Sequence, residues 1–273
     1  MEEKIRLLKK KAQWLRRQVL EKIVQTGKGH IGGTYSCIDL LVALYYGGLL
    51  KIDPVNPGWR DRDRFLIGKG HVCLALFYIW AELGYFNVSK LEEYGKNGGS
   101  LGGQLDIYVS GAEHNTGSLG HAIGIGAGMA LAAKLDSKNY KTVVLIGDAE
   151  CDEGSIWESA MFAGKMGLNN LVGIIDRNRL SVTDVIVEDD GSGRLDEKFI
   201  ACGWKVVSID GHSFKEIFEA FDVLGKLNKP LMIIANTVKG KGVSFMENGI
   251  KWHHSIPSGE EIKLARKELD VEV

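Results

Sequence analysis

The 273-residue sequence lacks the features that would tie it to a membrane, a nucleic acid or an oxidising compartment. No apolar run approaches the roughly 18 residues that a bilayer span needs, and no signal-peptide core precedes the first charged helical pattern. The formal net charge is -1, and the basic block Lys9-Lys10-Lys11 is short. That argues against a nucleic-acid or anionic-membrane partner. The 4 cysteines, Cys37, Cys73, Cys151 and Cys202, lie far apart with no C-x-x-C pair. Neither a disulfide framework nor a thiolate metal site is expected, and a reducing cytoplasm is the expected location. Proline is scarce, with 4 residues against 35 glycines, while 45% of the chain is hydrophobic and 25% charged. This is the profile of a soluble globular protein with a sizeable core.

What is present is an alternation of helix and strand. Ile5, Leu8, Ala12, Leu15, Val19 and Ile23 recur at helical spacing and predict an amphipathic N-terminal helix. Short apolar runs at 64–67, 142–146, 171–175, 204–209 and 231–235 read as buried strands. Helices are predicted at 72–83, 155–165 and 214–227. Continuous apolar strands separated by helices imply an α/β fold, a parallel sheet covered by helices on both faces. No repeat or linker divides the chain, so residues 1–273 are expected to form one domain with an N-terminal helical extension.

In such sheets ligands bind beyond the carboxyl ends of the strands. Those ends carry Gly68-Lys69-Gly70-His71, Gly147-Asp148 and Asp176-Arg177-Asn178. Asp148 and Asn178 each follow a strand and lie 30 residues apart, about the length of one strand–helix–strand unit. A carboxylate, an amide oxygen and a nearby carbonyl are hard ligands suited to Mg²⁺ or Ca²⁺. Magnesium bound in this way leaves positions for phosphate oxygens. The helix starting near Ser155 would aim N–H groups at the same anion. Singly, Asp148 and Asn178 read more often as turn and cap residues, and their strand-end spacing, joined by Glu153-Gly154 entering a helix, favours the ligand reading. A Rossmann site is the natural rival, because Gly124, Gly126 and Gly128 precede Asp148. The third glycine is misplaced for G-x-G-x-x-G and no strand leads into it. Gly27-Lys28-Gly29-His30 lacks the spacing of a P-loop.

Gly147-Asp148-Ala149-Glu150, Glu153-Gly154 and Asp176-Arg177-Asn178 resemble the thiamine diphosphate signature. With Gly29-His30, Gly70-His71, the segment 116–120 and the segment 239–247 followed by Trp252-His253, the chain resembles the N-terminal, diphosphate-binding part of transketolase in its two-chain form. The resemblance implies Mg²⁺, or Ca²⁺ or Mn²⁺ in its place, on Asp148, Asn178 and the Leu180 carbonyl. Gly147 and the Ala149 amide would lie near the diphosphate, with Ala149 standing where the family usually has glycine. Gly117, Ser118 and Leu119 would hold the aminopyrimidine edge, Val182 would pack on the thiazolium, and Glu153 would lie at an interface coupling paired sites. His71 and His253 would contact the diphosphate, and His30 and His253 would move protons at substrate oxygens. The implied activity is transfer of a two-carbon ketol unit from a ketose phosphate to an aldose.

The pattern also breaks. Gln104 stands where the family usually has a histidine that contacts the donor, and glutamine cannot shuttle a proton. His114 and His121 are histidines where the family has none. Either the pocket is retuned, for an unusual sugar or a 2-oxo acid such as pyruvate, or His114 takes over the lost role. A non-catalytic subunit with this fold is the remaining alternative. The glutamate that activates the cofactor belongs, in the family, to a pyrimidine-binding domain. The chain ends at Val273 before one could begin, so a separate C-terminal-type subunit is the expected partner, in an α2β2 assembly.

Overall fold

A computed structural model describes residues 1–186 and 194–270. Helix α1 (Glu2–Thr26) is followed by α2 (Ile31–Tyr45), β1 (Arg64–Ile67) and α3 (Cys73–Leu83). Next come α4 (Ala122–Leu135), β2 (Thr142–Gly147), α5 (Gly154–Lys165) and β3 (Leu171–Arg177). The chain continues through α6 (Leu195–Ala201), β4 (Lys205–Asp210), α7 (Phe214–Asp222), β5 (Leu231–Asn236) and α8 (Glu260–Leu269). The five strands pair in parallel in the order β1-β2-β3-β5-β4.

Strand side chains alternate between two cores. Phe65, Ile67, Val143, Leu145, Val172, Ile174 and Ile233 pack with apolar residues of α1, α2, α3 and α7. Leu66, Val144, Ile146, Ile175, Met232 and Ile234 pack with those of α4, α5 and α6. The sheet therefore carries helices on both faces, which explains why its inner strands read as unbroken apolar runs.

The five predicted strands lie within a residue or two of their expected places. The helix expected over 214–227 is shorter: α7 stops at Asp222, and Leu224–Lys226 form a separate 3₁₀ turn. Helix α1 is built into the core, with Leu15, Val19 and Ile23 fully buried. Arg16 of α1 pairs with Asp39 of α2 at 2.6 Å, and Asp39 also meets His212 Nδ1 at 2.6 Å. This buried network ties the N-terminal helix to the start of α7.

Candidate functional site

The strand register brings the polar sequence segments to one edge. Gly147 of β2 pairs with Asp176 of β3, and Asp176 pairs with Ala235 of β5. Beyond β1, the Gly68 amide donates to the Leu145 carbonyl at 2.8 Å. The exits of β1, β2, β3 and β5 thus deliver Lys69 and His71, Asp148, Asn178 and Leu180, and Lys239 to a common floor. The N-terminus of α2 adds His30 and Gly33. Together these residues line one cavity of about 210 Å³.

Of the residues singled out from sequence, His30, His71, Gln104, Leu119, Gly147, Asp148, Ala149, Asn178, Leu180, Val182 and His253 line this cavity. His114, Gly117, Ser118 and Glu153 are not among its walls. Gly117 and Ser118 lie exposed just before Leu119, and Glu153 is exposed at the start of α5. His114 is buried, and its Nδ1 has no hydrogen-bond partner among the described residues. His121 lies outside the cavity, its Nδ1 3.2 Å from the Ser118 hydroxyl. The N-terminus of α5 does not face the cavity as expected. A 3₁₀ turn, Ala149–Asp152, intervenes, and it is Ala149 and Glu150 that reach the floor.

Asp148 is 5% exposed. Its Oδ1 accepts from the Ala149 amide at 2.9 Å and its Oδ2 from the Arg179 amide at 2.5 Å. Burial, with the Asp176 carboxylate adding to it, raises its pKa from 3.8 to about 6. Arg179 adopts a left-handed φ of 63°, an unfavourable conformation for a residue with a Cβ. The bend sets Asn178 Oδ1 3.1 Å from the Leu180 amide, so Asp148, Asn178 and Leu180 converge on one loop. A buried carboxylate short of positive charge, beside an amide oxygen and a carbonyl, is a donor set that fits a hard divalent cation.

Sequence reasoning missed the roles of Lys69, Asp176, Lys239, Glu150 and His254. Asp176 is fully buried and accepts from Lys69, the Ser36 hydroxyl and the Thr237 hydroxyl. Burial opposes the Lys69 charge, but Asp176 outweighs it and raises the lysine pKa. Lys239 Nζ donates to the Ser181 carbonyl at 2.9 Å and lies 3.2 Å from His253 Nδ1. Burial first, then Lys69, lowers its pKa to about 8. Glu150 braces the loops, accepting from the Gly120 amide at 2.9 Å and the Gly147 amide at 3.0 Å. The Lys69-between-glycines pattern was the visible signal. A Cβ on Gly68 would lie 2.0 Å from Glu150, and one on Gly70 would lie 2.0 Å from the Thr116 hydroxyl.

Above the floor, imidazoles crowd together. The ring of His30 lies 5.0 Å from that of His71 and 5.3 Å from that of His253, and His71 and His253 are 5.3 Å apart. Burial lowers the pKa of all three, to about 2 for His71 and about 3 for His253, helped by Lys69 and Lys239 respectively. All three rings are neutral near pH 7, and burial beside the lysines makes them weak bases in the empty cavity.

The floor therefore shows two opposite imbalances: Asp148 wants a cation and Lys239 wants an anion. Residues 8–273 match the family described as transketolase, thiamine diphosphate binding domain. The chain belongs to the transketolase family. One relative is the apulose-4-phosphate transketolase of Phocaeicola vulgatus, one of whose subunits is 40% identical over 255 residues, covering 93% of this chain and 90% of that one. Another is the 6-deoxy-6-sulfo-D-fructose transketolase subunit SqwG of a Clostridium species, 40% identical over 267 residues and covering 97% of each. The transketolase of Campylobacter jejuni has the same fold, with a TM-score of 0.88 and 30% identity over 96% of this chain but 42% of that one. Thiamine diphosphate is thus the ligand class of this domain family, and the cavity is where the strand ends would receive it.

Proposed function

We propose that residues 1–273 fold as one domain that forms the diphosphate-binding subunit of a two-chain transketolase, working in the cytoplasm on sugar phosphates. The observation that carries this reading is the paired imbalance on the cavity floor. Asp148, Asn178 and the Leu180 carbonyl would hold a divalent cation that offsets the carboxylate, and Lys239 and His71 would hold a diphosphate that offsets the lysine. When bound, the cofactor supplies the carbanion chemistry that breaks and forms a carbon–carbon bond. The chain's own part is to hold the diphosphate, through Ala149 and His71, and to exclude water from the floor. His30 and His253 would exchange protons with substrate oxygens once bound anionic groups offset the lysine charge that, with burial, weakens them as bases in the empty cavity. Leu119 and Val182 offer apolar contact to the rings, with Gly117 and Ser118 beside them.

A partner chain with a pyrimidine domain completes the site. The cavity is smaller than the roughly 300–1,000 Å³ of a self-sufficient ligand pocket. Leu119 and Val182, at 37% and 49% exposure, stand uncovered beside it. The outer surface of α4 and α5 exposes Ile125, Met161 and Phe162, an apolar face of the kind that marks a protein interface. An α2β2 assembly covers both, with Glu153 near the contact between halves. Two relatives are themselves named as transketolase subunits. The test is reconstitution: this chain and its partner, with thiamine diphosphate and Mg²⁺, offered a ketose phosphate and an aldose. Ketol transfer that needs both chains and the metal supports the reading. Robust turnover by this chain alone refutes the partner requirement, and pyruvate consumption in place of ketol transfer makes it an acyl-transferring enzyme retuned at Gln104.

A further inference from the structure

Beyond the hard-oxygen site, a second group of metal-type ligands faces the same cavity. One ring nitrogen from each of His30, His253 and His254 lies within 4.8 Å of the others. The His254 ring is 4.9 Å from that of His30 and 4.6 Å from that of His253. We propose that these three histidines form a separate site for a borderline transition metal such as Zn²⁺, and that filling it withdraws the His30 and His253 imidazoles from proton transfer.

The chemistry separates the two sites. Imidazole nitrogens favour zinc and its neighbours, whereas magnesium takes oxygen ligands. His30 Nδ1 is buried and has no hydrogen-bond partner among the described residues, so one member of the cluster holds an unused polar atom. Tetrahedral zinc with Zn–N bonds of about 2.0–2.1 Å requires nitrogens roughly 3.4 Å apart, so the rings must close by about 1.5 Å. The surroundings allow it. His254 is exposed, and both His30 and His254 also line a neighbouring cavity of about 300 Å³. Three protein nitrogens leave a fourth position for water, the pattern of an open zinc site. Lys239, 3.2 Å from His253 Nδ1, opposes a second cation and keeps the site weaker than a structural zinc centre. Cys37, Cys73 and Cys151 are buried, which leaves the half-buried Cys202 as the accessible thiol.

The binding claim stands on this geometry alone, while its effect on turnover rests on the proposed ketol transfer. The chain is titrated with Zn²⁺ in excess Mg²⁺, using competition with a chromophoric zinc indicator, and in parallel with Co²⁺ followed by its visible absorption. One Zn²⁺ per chain is expected, with affinity at least tenfold lower in His254→Ala and in His30→Gln, and unchanged in Asp148→Asn. Cobalt should give the bands of a low-coordinate nitrogen site, lost in His254→Ala. Equal binding by wild type and both histidine variants, or no stoichiometric binding, overturns the site. In the assembled two-chain enzyme, Zn²⁺ should then inhibit, and a zinc-selective chelator in excess Mg²⁺ should restore activity. Stoichiometric binding without inhibition overturns the switching claim. A complex with no ketol transfer before zinc is added defeats the parent reading, together with that inhibition, and leaves the binding result standing.

Discussion

Replacing Asp148 by asparagine should stabilise the metal-free chain while removing its response to magnesium. The native pKa is raised from 3.8 to about 6 because the carboxylate is buried and faces Asp176. The folded state thus holds more protons than the unfolded state between those values, and this group removes stability as pH rises through them. Above pH 6 the full penalty applies, at most about 3 kcal/mol at roughly 1.4 kcal/mol for each tenfold. Asparagine keeps an oxygen for the Arg179 amide and carries no charge, while its NH2 group forfeits the Ala149 amide bond, about 1 kcal/mol of the gain. Thermal unfolding without metal at pH 8 should therefore shift upward by several degrees, on the order of 2 °C for each kcal/mol in a chain of this size. The gain should shrink toward pH 4. Added Mg²⁺ with thiamine diphosphate should raise the wild-type midpoint and leave the variant unmoved. A variant less stable than wild type at pH 8 without metal would refute the argument, since the carboxylate would then be structural and not a waiting ligand.

Other perturbations separate the remaining parts. Lys69→Met strands the buried Asp176 charge and should cost about 3–5 kcal/mol, read as a lowered urea midpoint. Lys239→Gln should leave the fold intact, because its charge is already disfavoured there, and weaken cofactor affinity by at least tenfold in a binding titration. Gly70→Ala places a methyl group against Thr116 and Gln104 and should cost about 1–3 kcal/mol with a parallel loss of cofactor binding. Acid should destabilise the ligand-free chain: burial holds His71 near 2 and His253 near 3, against 6.5 when unfolded, so unfolding takes up protons below pH 6.5. A urea midpoint that rises between pH 7 and 5 in the Asp148→Asn variant, where Glu113 and Glu150 are the remaining carboxylates whose pKa burial raises, would contradict those assignments.

The sequence made the sheet legible because a parallel strand buried on both faces must be apolar throughout. Thr142 to Ile146 and Leu171 to Ile175 are short and β-branched, which favours strand over a buried helical segment. Asp148 and Asn178 were legible for a different reason, as strand-end oxygens at a spacing fixed by one helical crossover. Lys69, Asp176 and Lys239 were harder, since a lysine becomes a buried charge only through partners distant in sequence, and Lys69 and Asp176 are 107 residues apart. The candidate anion contact at α5 failed because the 3₁₀ turn after Asp148 sets that helix back from the floor, and local sequence does not reveal the offset. His114 stood two residues from Thr116, yet it is His254 that reaches the cavity. A loop histidine's direction depends on the tertiary path of its loop, here the 3₁₀ turn Ile250–His253 that ends beside His30.

The two ends of the cavity are built to different standards. At the diphosphate end, the buried Asp176 is held by Lys69, Ser36 and Thr237, and the buried Glu150 by two backbone amides. Such a floor loses little entropy on binding because its rotamers are already fixed. At the ring end, Leu119 and Val182 keep much of their apolar surface in water, and Gly117 and Ser118 are exposed. Covering that surface is favourable whichever body does it, the cofactor ring or the partner chain, and a ring lying between them buries both contacts at once. Cofactor binding and association of the two chains are then linked. By reciprocity the cofactor should tighten association by the same factor with which the partner tightens the cofactor. Sedimentation with and without thiamine diphosphate, set beside cofactor titrations with and without the partner, measures the two factors independently, and unequal values would mean that a third ligand or a change of assembly state intervenes.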